Sequence, residues 1–527
     1  MDSSASKMNS RQESSGFLAM TIFAGISAAY SLLGYSLRKQ EQYKKRVEDM
    51  KRQAMEQHSL LTSNTSSKSS PSDPKMSGTL LENFTIDKVY LWDVEHLSKR
   101  FESETPEHYV NVMSKGTEYN KLIRKNECVL VDIVLDPVKQ KKVSKAFVRA
   151  GPRKNLHFHP ETVNAAIVTC GGLCPGLNNV IREITNSLIF TYGIKGKVWG
   201  IRGGYKGFYD PSFPPIELTT ELVENIHHTG GTMLGSSRGG FDIDKIVAFI
   251  QKMSIKQLYV IGGDGTHRGA YIIHEECMKR RLNVAVAGIP KTIDNDVDHI
   301  DRSFGFESAV EAAQDVIRCA KVEAQCNLPN GIGVVKLMGR SAGFIAAHAT
   351  LASGDVDLCL VPEVPTVLEG EIGCLPHIFK RVKTKGYAVI VVAEGAGEEI
   401  LGTSTETDAS GNKKLPAIGK FIKEATEAYF QKMGETATVK YIDPSYIVRS
   451  VKANAADSFY CMQLGQNAVH GAMAGFTGFS VGLCKNKMVY IPIPNLVATS
   501  PRLMDKQGRT WERVLALTRQ PNTCLAD

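Results

Sequence analysis

The sequence lacks the cysteine pattern of a disulfide-bonded or zinc-stabilised fold. Its eleven cysteines are scattered along 527 residues, with no CxxC motif and no paired spacing. Disulfide frameworks and structural zinc sites need such pairs, so the pattern argues against both and indicates a reducing compartment. A clear internal repeat is absent as well, and no low-complexity segment follows residue 78.

A strong excess of one charge is also missing. The formal net charge of +8 is modest for this length, and much of the excess lies in the N-terminal region. Proteins that bind nucleic acid concentrate basic residues on one face, so the composition predicts no nucleic-acid partner. With 43% hydrophobic and 22% charged residues, the chain has the composition of a soluble globular protein, and its length predicts more than one domain.

Charged residues are absent altogether from residues 14–37. This stretch is long enough to span a bilayer, and the basic residues massed after it place the rest of the chain in the cytosol by the positive-inside rule. Because the stretch is only moderately apolar, a plastid-targeting segment and an exposed extension stay open as alternatives. Residues 38–58 have the composition of a charged, solvated helix, and residues 59–78 that of a flexible serine-rich linker. The folded body is therefore expected over residues 79–527.

From residue 164 onward, apolar runs of strand length alternate with helical patterns. The runs 164–169, 258–261 and 284–289 are uninterrupted, and each is followed closely by glycine or proline. This alternation is typical of an α/β fold, in which parallel sheets are covered by helices on both faces. Ligands of such folds bind at the carboxyl ends of the strands, so the glycines and charged residues found there are the candidate site.

Two of these strands end in residues suited to phosphoryl transfer. The glycines of Gly262–Thr266 let backbone N–H groups approach a phosphate at a helix N-terminus, where Asp264 is placed to hold a magnesium ion. The next strand is followed by a cation, a hydroxyl and two carboxylates, namely Lys291, Thr292, Asp294 and Asp296. We expect Asp294 to be the general base toward an acceptor hydroxyl, with the flanking threonine and aspartate orienting that hydroxyl or the metal.

Six motifs occur in the order in which one enzyme family carries them. They are CGGLCPGLN at 170–178, LGSSRGG at 234–240, GGDGT at 262–266, PKTIDND at 290–296, MGR at 338–340 and YIDPSYIVR at 441–449. Over roughly residues 87–520 the chain resembles the ATP-dependent 6-phosphofructokinases, specifically the plant-type group of the phosphofructokinase A family. The resemblance implies two Rossmann-like, doubly wound subdomains with parallel sheets and an active site in the cleft between them. It also implies a cytoplasmic, allosteric homotetramer that acts in glycolysis, with Mg²⁺ and with ATP and fructose 6-phosphate as substrates.

The resemblance assigns roles to individual residues. On the nucleotide side it implies Gly172, Arg238, Gly239, Gly263, Asp264, Gly265 and Thr266, with Asp264 on magnesium. On the sugar side it implies Thr292, Ile293, Asp294, Met338, Gly339, Arg340, Glu394, Lys440, Tyr446, Ile447, Val448 and Arg449. The catalytic residues among these are Asp294, Thr292 and Arg340.

Two positions depart from the pattern of many bacterial relatives. Lys440 stands where they carry an arginine, and Gly331 stands where they carry another arginine that reaches a neighbouring subunit. The second departure puts the usual phosphate clamp shared between subunits in doubt.

The phosphoryl donor depends on two residues that point in different directions. Gly265 leaves room for the α-phosphate of ATP, which an aspartate there would occupy and repel. Lys291 is the residue found in pyrophosphate-using relatives, although the plant-type ATP enzymes carry the same glycine and lysine together. We expect ATP as the donor. A pyrophosphate-dependent enzyme on the same scaffold and a non-catalytic regulatory subunit are the alternatives.

Three further features have weaker functional interpretations. Tyr205 could stack on the nucleotide base or simply pack in the core, and Cys170 and Cys174 could form a redox switch around the first glycine loop. His157 and His159 have metal-ligand spacing, but no third ligand candidate lies nearby in the sequence, so we interpret them as loop residues.

Overall fold

The structure is a computed structural model that describes residues 88–106, 111, 122–133, 143–402, 406 and 415–525. The described residues belong to one compact unit, Thr85–Asp527. The candidate membrane segment 14–37, the charged helix 38–58 and the linker 59–78 lie outside the described residues. Within the described ranges, none of the helices combines the length and the apolar character needed to cross a bilayer.

Fourteen strands and thirteen α-helices alternate along the described chain. The strands are β1 (Lys88–Trp92), β2 (Cys128–Leu130), β3 (Val143–Arg149), β4 (Asn164–Thr169), β5 (Val198–Ile201), β6 (Ile216–Glu217), β7 (Ile255–Gly262), β8 (Ala285–Pro290), β9 (Gly331–Leu337), β10 (Leu358–Leu360), β11 (Tyr387–Ala393), β12 (Thr438–Ile442), β13 (Phe479–Cys484) and β14 (Lys487–Pro492). The helices are α1 (Leu177–Asn186), α2 (Thr220–Val223), α3 (Ile243–Lys252), α4 (Asp264–Lys279), α5 (Phe306–Cys326), α6 (Phe344–Ser353), α7 (Cys374–Lys385), α8 (Glu398–Leu401), α9 (Ile418–Lys432), α10 (Ser445–Ser450), α11 (Ala455–Ala474), α12 (Ile493–Thr499) and α13 (Arg509–Thr518).

The larger sheet contains ten strands, with β2 paired to β3 beside the main order β1–β3–β14–β13–β8–β7–β4–β5–β6. Its five central strands, β5, β4, β7, β8 and β13, are parallel to their neighbours within this group. Every residue of β8 is buried, as is typical of a strand covered on both faces. The smaller sheet has the order β10–β11–β9–β12, and all its pairs are parallel. The predicted α/β fold with parallel sheets is confirmed.

The edges of the larger sheet differ from the parallel pattern, and the reason is local. β13 and β14 form an antiparallel hairpin whose two-residue turn, Lys485 and Asn486, has positive φ at both positions. Such a turn matches the twist of a tight hairpin and reverses the chain at once, so β14 cannot be parallel to β13. β14 then pairs antiparallel with β3, which brings the N-terminal strands into this sheet.

The first residue of β9 is a glycine for a steric reason. A Cβ on Gly331 would lie 1.9 Å from the carbonyl oxygen of Ala324 in α5, where no side-chain atom fits. The helix therefore packs directly against the strand backbone at this point. An arginine cannot project from this position without displacing the helix, which is consistent with its absence from the sequence.

We predict that Gly331→Ala destabilises the protein by about 1–3 kcal/mol, because the added methyl group forces α5 away from β9. The measurement is the midpoint of thermal or denaturant unfolding. Gly172→Ala is the matched control, since a Cβ there would meet no atom within 4 Å. An unfolding midpoint for Gly331→Ala equal to that of the control variant would refute the close helix–strand contact.

Candidate active site

The candidate site lies where strands of both sheets end. The residues after β7 and β8 come from the larger sheet, and those after β9 and β11 come from the smaller one. The two groups meet directly, because the backbone N–H of Arg340 donates a hydrogen bond to the Asp294 carboxylate. The arrangement follows the rule that open parallel sheets bind ligands outside the carboxyl ends of their strands.

The predicted phosphate loop forms the start of α4. Gly263 is the N-cap residue and Asp264 the first helical residue, so unpaired backbone N–H groups point out of the helix end. The backbone N–H of Lys291 donates to the carbonyl of Gly262 at 2.9 Å, which holds the ends of β7 and β8 side by side. A Cβ on Gly265 would meet nothing within 4 Å, so the space in front of the helix end is open.

The glycine-rich loops after β4 and around residue 237 bond to each other beside this helix end. Ser236 Oγ donates to the carbonyl of Gly171 at 2.6 Å, and Ser237 Oγ donates to the carbonyl of Gly203 at 2.6 Å. The backbone N–H of Gly171 donates in turn to the carbonyl of Ser237. These bonds place Arg238 and Gly239 near Gly172, as the predicted nucleotide side requires. Sequence reasoning named these loops but could not show that they contact one another.

Two carboxylates lie close enough to repel each other at the proposed metal position. Burial raises the pKa of Asp264 to about 6, and repulsion by the Asp296 carboxylate adds to the shift. Groups of three His, Cys, Asp or Glu side chains able to hold a metal do not occur in the described part of the chain. Mg²⁺ is commonly held by one or two carboxylates together with substrate phosphates, so this pair suits Mg²⁺ when a nucleotide is present.

The predicted general base is the most desolvated acid of the site. Burial raises the pKa of Asp294 well above its ordinary value, and the carboxylates of Asp296 and Glu394 raise it further. Lys291 and the N–H of Arg340 oppose this shift. One oxygen of Asp294, Oδ1, is buried and has no hydrogen-bond partner among the described residues.

The turn that carries Asp294 is fixed by hydrogen bonds within the turn and to residues outside it. Thr292 Oγ1 donates to Asp296 at 2.7 Å and accepts the backbone N–H of Asp294 at 3.2 Å. Asn295 has a φ of +58°, a conformation that asparagine tolerates better than most residues, and its side chain accepts the N–H of Ser303 at 2.9 Å. Thr292 therefore acts on the turn through hydrogen bonds, while the buried Ile293 anchors it.

Lys291 lies beneath the first glycine loop. It is 7% exposed, and its ammonium group is the nearest neighbour of a Cβ built on Gly171, at 3.5 Å. Burial lowers the pKa of Lys291, attraction to Asp294 opposes that shift, and repulsion by Arg238 adds to it. Two cations therefore converge on the space between the glycine loops and the base.

The predicted sugar side is assembled from three strand ends of the smaller sheet. The backbone N–H of Gly395 donates to the carbonyl of Gly339 at 3.1 Å, which holds Arg340 beside Glu394. Burial raises the pKa of Glu394, while Lys336, Arg340 and Arg449 lower it by attraction. These charges form one cluster, with Met338 partly buried at its edge.

Lys336 is a member of this cluster that sequence reasoning missed. Its ammonium group lies 2.8 Å from Asp443, and its side chain is 18% exposed. Asp443 also accepts the backbone N–H of Ser445 at 3.2 Å and so fixes the start of α10. A lysine one residue before the end of a buried apolar strand was the signal that could have identified it.

Helix α10 brings the next predicted residues to the site. Arg449 lies 5.0 Å from the ring of Tyr446, which is 74% exposed, and its Nε is buried without a hydrogen-bond partner in the described ranges. Ile447 is exposed, and Val448 is fully buried and anchors the helix. The backbone of Lys440 pairs with Gly333 in the middle of β12, two residues before the strand ends.

The tyrosine, cysteines and histidines with weaker functional interpretations have packing or capping roles in the structure. Tyr205 is 5% exposed, and its hydroxyl donates to the carbonyl of Thr266 at 2.7 Å, so it supports the phosphate loop from within the core. Cys170 and Cys174 are buried, and burial raises the pKa of Cys170 to about 12, which disfavours thiolate chemistry. His157 is buried against Asn283. His159 caps a short 3₁₀ turn.

The chain is similar in sequence to known proteins over most of its described residues. A family model described as phosphofructokinase matches residues 164–472. The chain is 52% identical over 379 residues to the ATP-dependent 6-phosphofructokinase 7 of Arabidopsis thaliana, covering 71% of this chain and 77% of that one. It is 51% identical over 374 residues to the chloroplastic ATP-dependent 6-phosphofructokinase 5 of the same plant, covering 71% of this chain and 69% of that one.

The fold is also found among solved structures. A pyrophosphate-dependent phosphofructokinase from Marinobacter aquaeolei superposes with a TM-score of 0.55, covering 67% of this chain and 91% of that chain. The sequence identity is 20%, so the similarity concerns the fold alone.

Proposed function

The chain belongs to the phosphofructokinase family, and from this premise we propose that it is an ATP-dependent 6-phosphofructokinase. It transfers the γ-phosphoryl group of ATP to the 1-hydroxyl of D-fructose 6-phosphate and releases fructose 1,6-bisphosphate and ADP. The relatives that carry this name are about half identical to it over some 70% of its length, which supports the same reaction here.

The observation that carries the proposed mechanism is the buried, half-satisfied carboxylate of Asp294. Its Oδ1 lacks a partner among the described residues, and burial together with the neighbouring carboxylates raises its proton affinity. A buried acceptor without a partner is costly unless a ligand supplies the missing donor. A hydroxyl of the sugar phosphate would supply it, and the raised proton affinity suits a group that must take up that proton during transfer.

The remaining charges fit the other requirements of phosphoryl transfer. Lys291 and Arg238 place positive charge beside the glycine loops, where the donor phosphates would bind the open N–H groups of α4. Asp264 and Asp296 would hold a Mg²⁺ ion, which neutralises charge on the transferred phosphoryl group. On the acceptor side, Arg340 and Arg449 supply two cations to the substrate phosphates, and Glu394 supplies an acceptor for a sugar hydroxyl.

A non-catalytic subunit on the same scaffold would be expected to have lost part of this charged set. Instead, all six charged or hydroxyl groups that the sequence singles out are present, namely Asp264, Thr292, Asp294, Arg340, Glu394 and Arg449. The charges of Asp294, Arg340, Glu394 and Arg449 are also coupled electrostatically, which supports a shared site. The intact set supports an active enzyme.

We also propose that the chain forms a homotetramer, as the family resemblance implies. Large apolar side chains such as Phe190 and Leu328, 70% and 79% exposed, would be covered by neighbouring copies. Light scattering of the intact chain measures this directly, and a particle with the 57.7 kDa mass of one chain would contradict it.

We predict that Asp294→Asn lowers turnover by about 10²- to 10⁴-fold, the usual contribution of a positioned general base. Binding of fructose 6-phosphate, measured by calorimetry, should change little because the amide has the same shape. Since burial and like charge raise the pKa of Asp294, its ionised form destabilises the folded state, and the neutral amide should not lower the unfolding midpoint at pH 8. A variant that kept more than about a tenth of wild-type turnover would remove Asp294 from the mechanism.

We predict that the protein uses ATP with negligible turnover on pyrophosphate, and that Gly265→Asp loses most ATP activity. The glycine has helical geometry and open space around its Cβ position, so the aspartate should fold normally and act only by occupying the donor space. Coupled assays with each donor and with fructose 6-phosphate measure the outcome, and Gly265→Ala controls for the loss of glycine. Efficient use of pyrophosphate by the unmodified protein, or full ATP activity in the aspartate variant, would show that Gly265 does not set the choice.

We predict that Lys336→Gln raises the KM for fructose 6-phosphate about tenfold and changes kcat less than about threefold. The substitution removes the ion pair with Asp443, so α10 and the groups that bind the acceptor become less well fixed while Asp294 is unaffected. Lys336→Arg should restore most of the loss. Lys321→Gln is the matched control, since that lysine makes a 2.7 Å ion pair of similar exposure with Asp355, outside the cluster. Equal effects of the Lys336 and Lys321 variants on KM would reduce Lys336 to a general stabilising role.

We predict that residues 14–37 hold the chain on a membrane, with the catalytic body on the cytosolic side. The uncharged stretch and the basic residues after it motivate this prediction, and the chloroplastic name of one relative favours targeting as the alternative. Fractionation of cells that express the intact chain separates the two. Recovery of the whole unprocessed protein in the soluble fraction would rule out an anchor, and a trimmed N-terminus would favour targeting.

A further inference from the structure

Residues 500–504 connect the two halves of the molecule that form the candidate site. They follow α12, which packs against α4 and β14 of the larger-sheet half, and they precede α13, which packs against α6 of the smaller-sheet half. The phosphate loop forms the start of α4, and α6 begins four residues after Arg340. This connecting segment therefore passes from the elements of the nucleotide side to those of the sugar side.

Arg502 bonds the connecting segment to the turn that carries the general base. Its backbone N–H donates to the carbonyl of Asp296 at 2.6 Å. Its Nη2 donates to the carbonyl of Asn295 at 3.2 Å, and its Nη1 donates to the carbonyl of Ile300 at 3.3 Å. The charged donors of a guanidinium group make stronger hydrogen bonds than neutral donors, so Arg502 fixes the backbone immediately after Asp294.

The guanidinium group of Arg502 also reaches the smaller-sheet half. It lies 5.1 Å from the ring of Phe344, the first residue of α6. A cation above an aromatic ring is attracted to it, so one side chain links the catalytic turn to the helix that follows Arg340. Ser500 adds a further bond to the turn, because its Oγ accepts the backbone N–H of Asp298 at 3.2 Å.

Met504 bonds the other end of the connecting segment to the sugar side. Its backbone N–H donates to Glu363 Oε1 at 2.8 Å, and the same carboxylate accepts the backbone N–H of Gly343 at 3.0 Å. Gly343 is the N-cap residue of α6, three residues after Arg340. Burial raises the pKa of Glu363, while the two N–H bonds lower it. The carboxylate therefore joins the connecting segment to the loop that carries Arg340.

The two anchors of the connecting segment cannot move far apart. Arg502 and Met504 are separated by a single residue, and an extended chain spans at most about 3.6 Å per residue, so their backbones stay within about 7 Å of each other. A displacement of the catalytic turn away from the loop of Arg340 would therefore have to break one of the two anchors.

We propose that the connecting segment holds the catalytic turn and the acceptor site at a fixed separation, with Arg502 and Glu363 as positioning residues of the reaction. The proposal rests on the proposed function, because it requires that Asp294 accepts a proton from a substrate held near Arg340. Phosphoryl transfer depends on the alignment of base, acceptor and donor, and a displacement of about 1 Å can lower the rate about 100-fold. Both positioning residues act through other groups, since their hydrogen bonds go to backbone atoms of the site loops and of the segment itself.

We expect Arg502→Met to lower kcat at least about tenfold and to change the KM for fructose 6-phosphate less than about threefold. Methionine keeps the apolar stem but donates no hydrogen bond, so the turn shifts while the cations that bind the substrate phosphates stay in place. Arg502→Lys should recover part of kcat, because an ammonium group can still reach one of the two carbonyls. A coupled assay with ATP measures both constants, and a kcat of Arg502→Met within about twofold of the intact chain would overturn the role of Arg502.

Arg153→Met is the matched control. Arg153 is 7% exposed, and its guanidinium group also donates to backbone carbonyls, those of Ile123, Arg124 and Arg149, outside the candidate site. It likewise lies near an aromatic ring, 5.5 Å from that of Phe476. Both methionine variants should lower the unfolding midpoint, because each leaves carbonyls without their donor, but Arg153→Met should keep kcat within about twofold. An equal loss of kcat in the two variants would reduce Arg502 to a general stabilising role.

The two anchors are tested as a unit with Glu363→Ala and with the double variant Arg502→Met and Glu363→Ala. We expect each single variant to lower kcat/KM for fructose 6-phosphate at least about tenfold. The double variant should stay within about threefold of the lower single variant, because a segment released at one end no longer positions the other half. Independent anchors would instead lower kcat/KM about 100-fold in the double variant, and that outcome would overturn the joint role of the two residues.

Hydrogen exchange of the substrate-free protein tests the same link without turnover. The backbone N–H of Arg340 donates to the Asp294 carboxylate across the two halves, and that of Asp298 donates to the connecting segment. We expect the peptides that contain these two amides to exchange at least about tenfold faster in Arg502→Met than in Arg153→Met. Equal exchange in the two variants would overturn the proposal whatever their turnover. An inactive intact chain whose exchange responds as expected would support the role of the connecting segment and count against the proposed reaction instead.

Discussion

The burial of several carboxylates of like charge at the ends of two sheets is the constraint on which the site depends. The carboxylates of Asp296 and Glu394 raise the pKa of Asp294, and burial disfavours the ionised forms of both Asp294 and Glu394. Such an arrangement costs folding free energy, and it persists only where the surrounding structure determines it fully. Lys291 and the N–H of Arg340 offset part of that cost. The substrates, which bring a hydroxyl donor and a metal ion, would offset the remainder.

Close backbone contacts hold part of the site together, beside the side-chain hydrogen bonds of Ser236 and Thr292. A Cβ on Gly395 would lie 1.8 Å from the carbonyl of Arg340, so the two strand ends can meet only through glycine. The loops at Gly171 and Ser237 also meet through a backbone hydrogen bond, and Ser236 Oγ adds a second bond to the carbonyl of Gly171. Charged side chains can then converge from both sheets because no bulky residue separates the loops that carry them.

The sequence predicts the parallel core and most of the candidate site, because both depend on short, local sequence patterns. A buried parallel strand such as β8 is a continuous apolar run, and a helix N-terminus that can bind phosphate begins with glycines. The N-terminal strands were not predicted, because β3 joins the sheet through β14, more than three hundred residues later. Lys336 was missed for a related reason: its partner Asp443 is distant in sequence, and a single lysine in an apolar strand has no local pattern.

Because Lys291 is buried, its presence does not indicate which phosphoryl donor the protein uses. An exposed lysine beside the glycine loop would favour pyrophosphate as the donor, since its charge would be available to neutralise that small anion. In this fold the lysine is 7% exposed, lies under Gly171 and is attracted to Asp294. It therefore compensates the buried base whichever donor binds, and its presence does not discriminate between them. Gly265, with open space in front of it, is the residue whose side chain would meet the donor directly. From sequence alone, Gly265 and Lys291 have opposite implications for the phosphoryl donor. In the structure only Gly265 would meet the donor directly, which favours ATP.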